Sequence, residues 1–150
     1  MGDSAIARCG GSCEEPANET ARDLEAAQAF FARDLFATEQ CGCRVDEAAP
    51  GHAVCSFEVG AQHRNAMGAV MGGAVFTLAD FALAVASNWG QGPAVSVCNS
   101  IEFVGGCKGE RLVATCEADK SGRRLGFYTV RVADDLGNLV AIMSATCMRV

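Results

Sequence analysis

The stretch from Ala74 to Ala86 constrains this chain more than any other, because it is apolar at every position except Thr77 and Asp80. A helix with apolar residues on nearly every face must be surrounded by protein. The run is shorter than a typical membrane span, and a carboxylate at its centre is costly in lipid. It therefore reads as the buried central helix of a soluble, non-membrane protein. Gly68, Gly72 and Gly73 lead into it, and Asn88 and Gly90 mark its stop.

The flanking segments follow simpler patterns. Leu24, Ala27, Phe31 and Leu35 recur at steps of three and four, which predicts an amphipathic helix of about four turns from Arg22 to Ala37. Cys41 to Asp46 and Ala53 to Val59 read as two strands around a turn at Ala49-Pro50-Gly51-His52. After the central helix, Ala94 to Val104, Arg111 to Ala118, Leu125 to Ala133 and Leu139 to Met148 read as four more strands. Gly and Asp-rich turns separate them, and their serial arrangement predicts an antiparallel meander. One antiparallel sheet covers one side of a helix, so the remaining apolar surface calls for a second subunit.

With 150 residues, half of them hydrophobic and a fifth charged, the chain is sized for one packed domain. Residues 1–20 are polar and Gly-rich, and read as a disordered segment without a secretory leader. A net charge of −6 argues against broad binding to nucleic acid, though not against a small anion held by a local basic group. The nine cysteines are odd in number, lie mostly in apolar stretches and lack zinc-knuckle spacing. They read as reduced thiols, with no metal site, in a cytoplasmic protein.

Two features carry chemistry. Asp80 has no basic residue three or four positions away, so its partner must come from another element or its carboxylate must face a wet pocket. The alternative is a structural role, in which Asp80 anchors a neighbouring backbone. Gly72 and Gly73 open the helix, where free N–H groups favour negative charge and allow close approach. A plain loop-to-helix turn explains them as well. Gly73 and Asp80 lie about 10 Å apart along a helix axis, so two helices meeting across a dimer place them on one reacting group more easily than one helix does.

The run Asn65-Ala66-Met67-Gly68-Ala69-Val70-Met71-Gly72-Gly73, followed by Leu78-Ala79-Asp80, resembles the signature of hotdog-fold acyl-CoA thioesterases of the PaaI-like type. The likeness extends over about Cys41 to Val150, taking in Val95-Ser96-Val97 and Gly122-Arg123-Arg124-Leu125-Gly126-Phe127-Tyr128. It implies an α+β hotdog domain over residues 21–150, with about six antiparallel strands around the central helix and an extra N-terminal helix. It also implies a homodimer or a dimer of dimers, with an acyl-CoA substrate and no separate cofactor. By the same resemblance Asp80 is the general base or nucleophile, and the Gly72 N–H binds the thioester oxygen from the opposite subunit. Asn65 and Ser96 orient the attacking water or the carbonyl, while His63, Gly73, Arg123 and Arg124 are candidates for substrate contact; loop fixing is the alternative for His63, and a solvated hairpin corner the alternative for the two arginines. The family usually has His before the two glycines, where this chain has Met71.

Phe30, Phe31, Phe36, Phe76 and Phe81 are candidates for an acyl pocket or for ordinary core. Among rivals, a dehydratase of this fold needs a His beside the helix carboxylate, and neither His52 nor His63 is in the helix. The other alternative is a protein that binds acyl-CoA without hydrolysing it.

Overall fold

A computed structural model describes the chain from residue 16 to residue 150, with side chains from Arg22 onward. The elements run α1 (Pro16–Phe31), a π-helical turn (Phe36–Gln40), β1 (Arg44–Ala49), β2 (His52–Glu58), a 3₁₀ turn (Ala61–His63), α2 (Gly72–Asn88), β3 (Ala94–Phe103), β4 (Arg111–Ser121), β5 (Leu125–Asp134) and β6 (Leu139–Arg149). All six strands form one antiparallel sheet in the order β1-β2-β4-β5-β6-β3. The sheet curls around α2, giving the α+β hotdog fold with an additional N-terminal helix.

Period-two patterning builds the inner face. Leu112, Ala114 and Cys116 on β4 and Tyr128, Val130 and Val132 on β5 are buried in alternation. Small residues (Ala53, Cys55, Ala114, Cys116) let α2 settle closely on β2 and β4. Leu78 and Leu83 of α2 are fully buried there, each stabilising the fold by about 2 kcal/mol. Burial pushes the Cys43 and Cys116 thiols up to about 12, so they behave as small hydrophobes. At the tight β1–β2 turn, Gly51 has φ 82°, a left-handed backbone that a side chain disfavours.

Two expectations are corrected. The helix predicted over 22–37 is two pieces, because α1 starts at Pro16 and stops at Phe31. The Thr38 hydroxyl donates to the carbonyls of Ala32 (3.3 Å) and Asp34 (3.0 Å), competing with helical bonds, and the chain resumes as a π-turn closed by Cys41 N–H to Phe36 O. The start at Pro16 also makes 16–20 helical where disorder was expected; the rest of that segment, 1–15, lies outside the described residues.

The second correction concerns the meander. Of its four strands, β4, β5 and β6 follow one another in space, but β3 sits at the far edge beside β6. The reason is α2, which carries the chain across the sheet from β2 before β3 begins. The 104–110 connection then brings it back to pair β4 with β2. As a result β3 is an edge strand with Val95, Val97 and Phe103 about half exposed.

Candidate active site

Asp80 projects from the middle of α2 at the margin of the core. Its Oδ1 accepts a hydrogen bond from Asn99 Nδ2 at 3.0 Å, and Asn99 Oδ1 accepts one from the Ser96 hydroxyl at 2.7 Å. No hydrogen bond to Asp80 Oδ2 is formed among the described residues. Burial pushes the Asp80 carboxyl above its ordinary value; the Asn99 hydrogen bond opposes this and the Asp34 charge adds to it.

Ser96 and Asn99 share this site because β3 is irregular. Residues three apart on a regular strand point to opposite faces. A bulge between Ser96 and Cys98 leaves Val97 unpaired, shifts the alternation by one, and turns both polar side chains toward α2.

Asp80 borders two clefts. One, about 160 Å³, opens toward β3 and includes Ser96, Asn88 and Cys147. The other, about 270 Å³, is walled by Asp34, Phe36, Phe76 and Phe81. A third, of about 370 Å³, shares Phe36 and Thr77 with the second and reaches His63, Met71 and Gly73. Gly72 faces a different side, a cleft of about 300 Å³ beside Phe103.

Within one protomer, then, Asp80 meets Ser96 but not Gly72. The two lie about 12 Å apart along the axis of α2. Both Gly72 and Gly73 are in the first helical turn, where amides have no partner four residues back. A Cβ at Gly72 would come within 3.2 Å of the Phe103 ring, and one at Gly73 within 2.7 Å of Met71 Cε. The Phe103 contact gives a structural reason for Gly72, whereas Met71 Cε is the end of a flexible, exposed side chain that can swing away and gives none for Gly73.

The remaining predicted residues are placed as follows. His63 is buried, stacked on Phe57 with ring centroids 4.2 Å apart. Its Nδ1 accepts from Gly60 N–H at 2.9 Å and its Nε2 donates to Cys41 O at 2.9 Å, so both nitrogens are spent fixing loops. Its carbonyl accepts from Met71 N–H at 2.7 Å and so positions the start of α2. Asn65 Oδ1 accepts from the amides of Met67 (3.0 Å) and Ala69 (3.1 Å), shaping the approach to the glycines, while its Nδ2 makes no hydrogen bond among the described residues. Arg123 and Arg124 are exposed at the β4–β5 corner, and their side chains form no ion pair among the described residues. Arg149 ties that corner to the end of α2, bonding Ser121 Oγ at 3.2 Å and Ser87 O at 2.6 Å. The corner and Gly72 thus lie at opposite ends of the helix.

Asn99 and Asp34 escaped the sequence reading. An Asn inside a Val- and Ile-rich strand was the available signal for the first, since Asn is depleted in strands. Asp34 looked like one more polar position on an amphipathic helix.

A central helix wrapped by a six-stranded sheet, carrying a half-buried carboxylate beside open clefts, defines a hotdog-fold protein. Residues 67–141 match the family model of the thioesterase superfamily. The acyl-coenzyme A thioesterase PaaI of Escherichia coli is 30% identical over 125 residues, covering 83% of this chain and 89% of that protein. Human acyl-coenzyme A thioesterase 13 is 35% identical over 98 residues, 63% of this chain and 70% of that one. The solved structure of a point mutant of the phenylacetic acid degradation protein PaaI from Thermus thermophilus superposes with TM-score 0.71 at 35% identity, covering 75% of this chain and 97% of that one. The chain belongs to the thioesterase superfamily, in its PaaI-like hotdog group.

Proposed function

We propose that this protein hydrolyses acyl-CoA thioesters to free CoA and a carboxylic acid. The observation that carries the reading is Asp80, a carboxylate with a single hydrogen-bond donor among the described residues, raised by burial and open to two clefts. A base with one oxygen unoccupied has room for a water, and an elevated value moves it toward the working pH.

In the reaction, Asp80 takes a proton from water as the water oxygen attacks the thioester carbonyl. The oxyanion is stabilised by the Gly72 N–H at the start of α2 of a second subunit. Collapse breaks the C–S bond, and the leaving thiolate takes the proton from Asp80. Direct attack by Asp80 through an anhydride is the alternative route; when water opens that anhydride at the Asp80 carbonyl carbon, single turnover in ¹⁸O water labels Asp80, which the general-base route never does. Ser96 and Asn99 hold the carboxylate in position, and Asn65 Nδ2, unbonded among the described residues, serves the second subunit's site in this reading.

The dimer of this reading pairs the exposed β3 edges, which buries Val95 and Val97 and satisfies the open backbone groups of the strand. It sets the start of one α2 near the middle of the other, resolving the separation of Gly72 from Asp80. Arg123 and Arg124 then serve the CoA phosphates. Among the described residues no helix is long and apolar enough to cross a membrane. The described cysteines are free thiols, which fits a reducing, cytoplasmic setting.

The test is thiol release from acetyl-, hexanoyl-, palmitoyl-, benzoyl- and phenylacetyl-CoA, with wild type and Asp80→Asn in parallel. Turnover that vanishes in the variant supports the reading. Binding without turnover on every thioester sinks it in favour of a non-hydrolysing acyl-CoA binder.

A further inference from the structure

The aromatic cleft beside Asp80 is walled in part by the connection between α1 and β1, which precedes the region matched by the family model. The π-helical turn in this connection opens with Phe36, a residue 63% exposed that borders two adjoining clefts together with residues of α2. Asp34 lines the same cleft as Phe36, Phe76 and Asp80, close enough for its charge to act on the Asp80 carboxyl. No salt bridge neutralises Asp34 among the described residues. Its neighbour Arg33 instead bonds the Phe30 carbonyl at 3.2 Å and covers the Phe30 ring at 4.4 Å, and Arg44 pairs with Glu58 at 3.3 Å.

A cleft with aromatic walls and two carboxylates has a definite charge preference. Uncharged apolar groups gain by burying surface against the rings. An anionic group entering this cleft meets the charges of Asp34 and Asp80, which no described residue lining it offsets.

We propose that the α1–β1 connection selects the acyl group: Phe36 favours uncharged acyl chains, and Asp34 rejects chains that end in a carboxylate. This rests on the thioesterase reading of Asp80. The same repulsion acts on the free acid after hydrolysis and assists its departure.

The experiment compares kcat/KM for hexanoyl-CoA, glutaryl-CoA and 6-aminohexanoyl-CoA in the full chain, as wild type, Asp34→Asn, Asp34→Glu and Phe36→Ala. The first and second substrates differ mainly in a terminal carboxylate; the third reverses that charge. In Asp34→Asn the glutaryl-to-hexanoyl ratio is expected to rise about tenfold, the scale of one like charge in a solvent-exposed cleft. The aminohexanoyl-to-hexanoyl ratio is expected to fall, and Asp34→Glu to restore both. Phe36→Ala is expected to raise KM for hexanoyl-CoA. Turnover with ratios unchanged within about twofold in Asp34→Asn overturns this proposal while leaving the thioesterase reading standing. Absence of turnover on every thioester by wild type overturns both.

Discussion

Asp80 and Asp134 are two carboxylates of the same protein treated in opposite ways. Asp134, 4% exposed at the β5–β6 corner, accepts from the amides of Lys108 (2.9 Å), Gly109 (3.1 Å), Leu136 (3.1 Å) and Asn138 (2.8 Å) and from the Asn138 side chain. Burial alone would raise its carboxyl; these donors overcome that and hold it well below the usual range. Asp80 has one donor, and burial prevails. A carboxylate ringed by donors clamps two loops together and has no lone pair to spare. One left short of donors destabilises the fold slightly and stays available for chemistry.

The sharpest break of this comparison is Asp80→Asn. Loss of the base is expected to lower kcat by about 10²- to 10⁴-fold. Melting temperature is expected to hold or rise, because Asn keeps the bond from Asn99 and carries no charge to desolvate. The sign follows from the raised value: an acid whose folded pKa exceeds its unfolded one lends stability only at low pH, and loses it as pH rises through the folded value. A large fall in melting temperature with kcat retained would make Asp80 structural.

Asp134→Ala is the mirror image. Thermal unfolding is expected at clearly lower temperature, while activity per folded molecule persists. Asp134 lends stability above the unfolded carboxylate value, and this is lost as pH falls toward its depressed folded value. In the variant, acid sensitivity in that window should therefore shrink. An unchanged melting curve would show that the 104–110 loop does not depend on this clamp.

Asn99→Ala tests the link between the two states of a carboxylate. Without its donor, Asp80 moves further up, so the acid limb of kcat/KM shifts to higher pH, and kcat near pH 7 falls by about tenfold or less. The pH-rate profile reads this directly, and an unmoved limb would disconnect Asn99 from the base. The smallest effect belongs to an exposed ionic site. His52 bonds Glu117 at 2.7 Å and Glu47 at 3.1 Å, stitching β1, β2 and β4. Partial burial lowers its pKa, but the two glutamates outweigh this and raise it. Its contribution is present below the unfolded value and disappears as pH rises through the folded one. His52→Gln should cost under about 1 kcal/mol at pH 6 and nothing measurable at pH 9, by chemical denaturation.

Much of this was legible in the chain. Asp80 stood out because its apolar neighbours in sequence are also its neighbours on the helix. The six strands and α2 lie within a few residues of their predicted positions, since period-two and all-apolar patterns report local geometry. Asn99 was not legible: the bulge at Val97 inverts the face on which strict alternation would put it. Asp34 was hidden by reading α1 as continuous, where the Thr38 hydroxyl breaks it. The two bonds that occupy the His63 ring come from Gly60 and Cys41, the second 22 residues away in sequence.

By itself, then, the sequence determined which segments are helix and strand, that most of α2 is buried, and that its one carboxylate sits among apolar neighbours. Those properties depend on side chains within a turn or two of each other. Only the tertiary structure decided that β3 is an exposed edge, that Asn99 rather than a charged group meets Asp80, and that Asp34 and Phe36 wall the cleft. Each of these joins residues from different elements. Such contacts are set by the path of α2 across the sheet and by one unpaired strand residue, and hydrophobic periodicity carries no information about either.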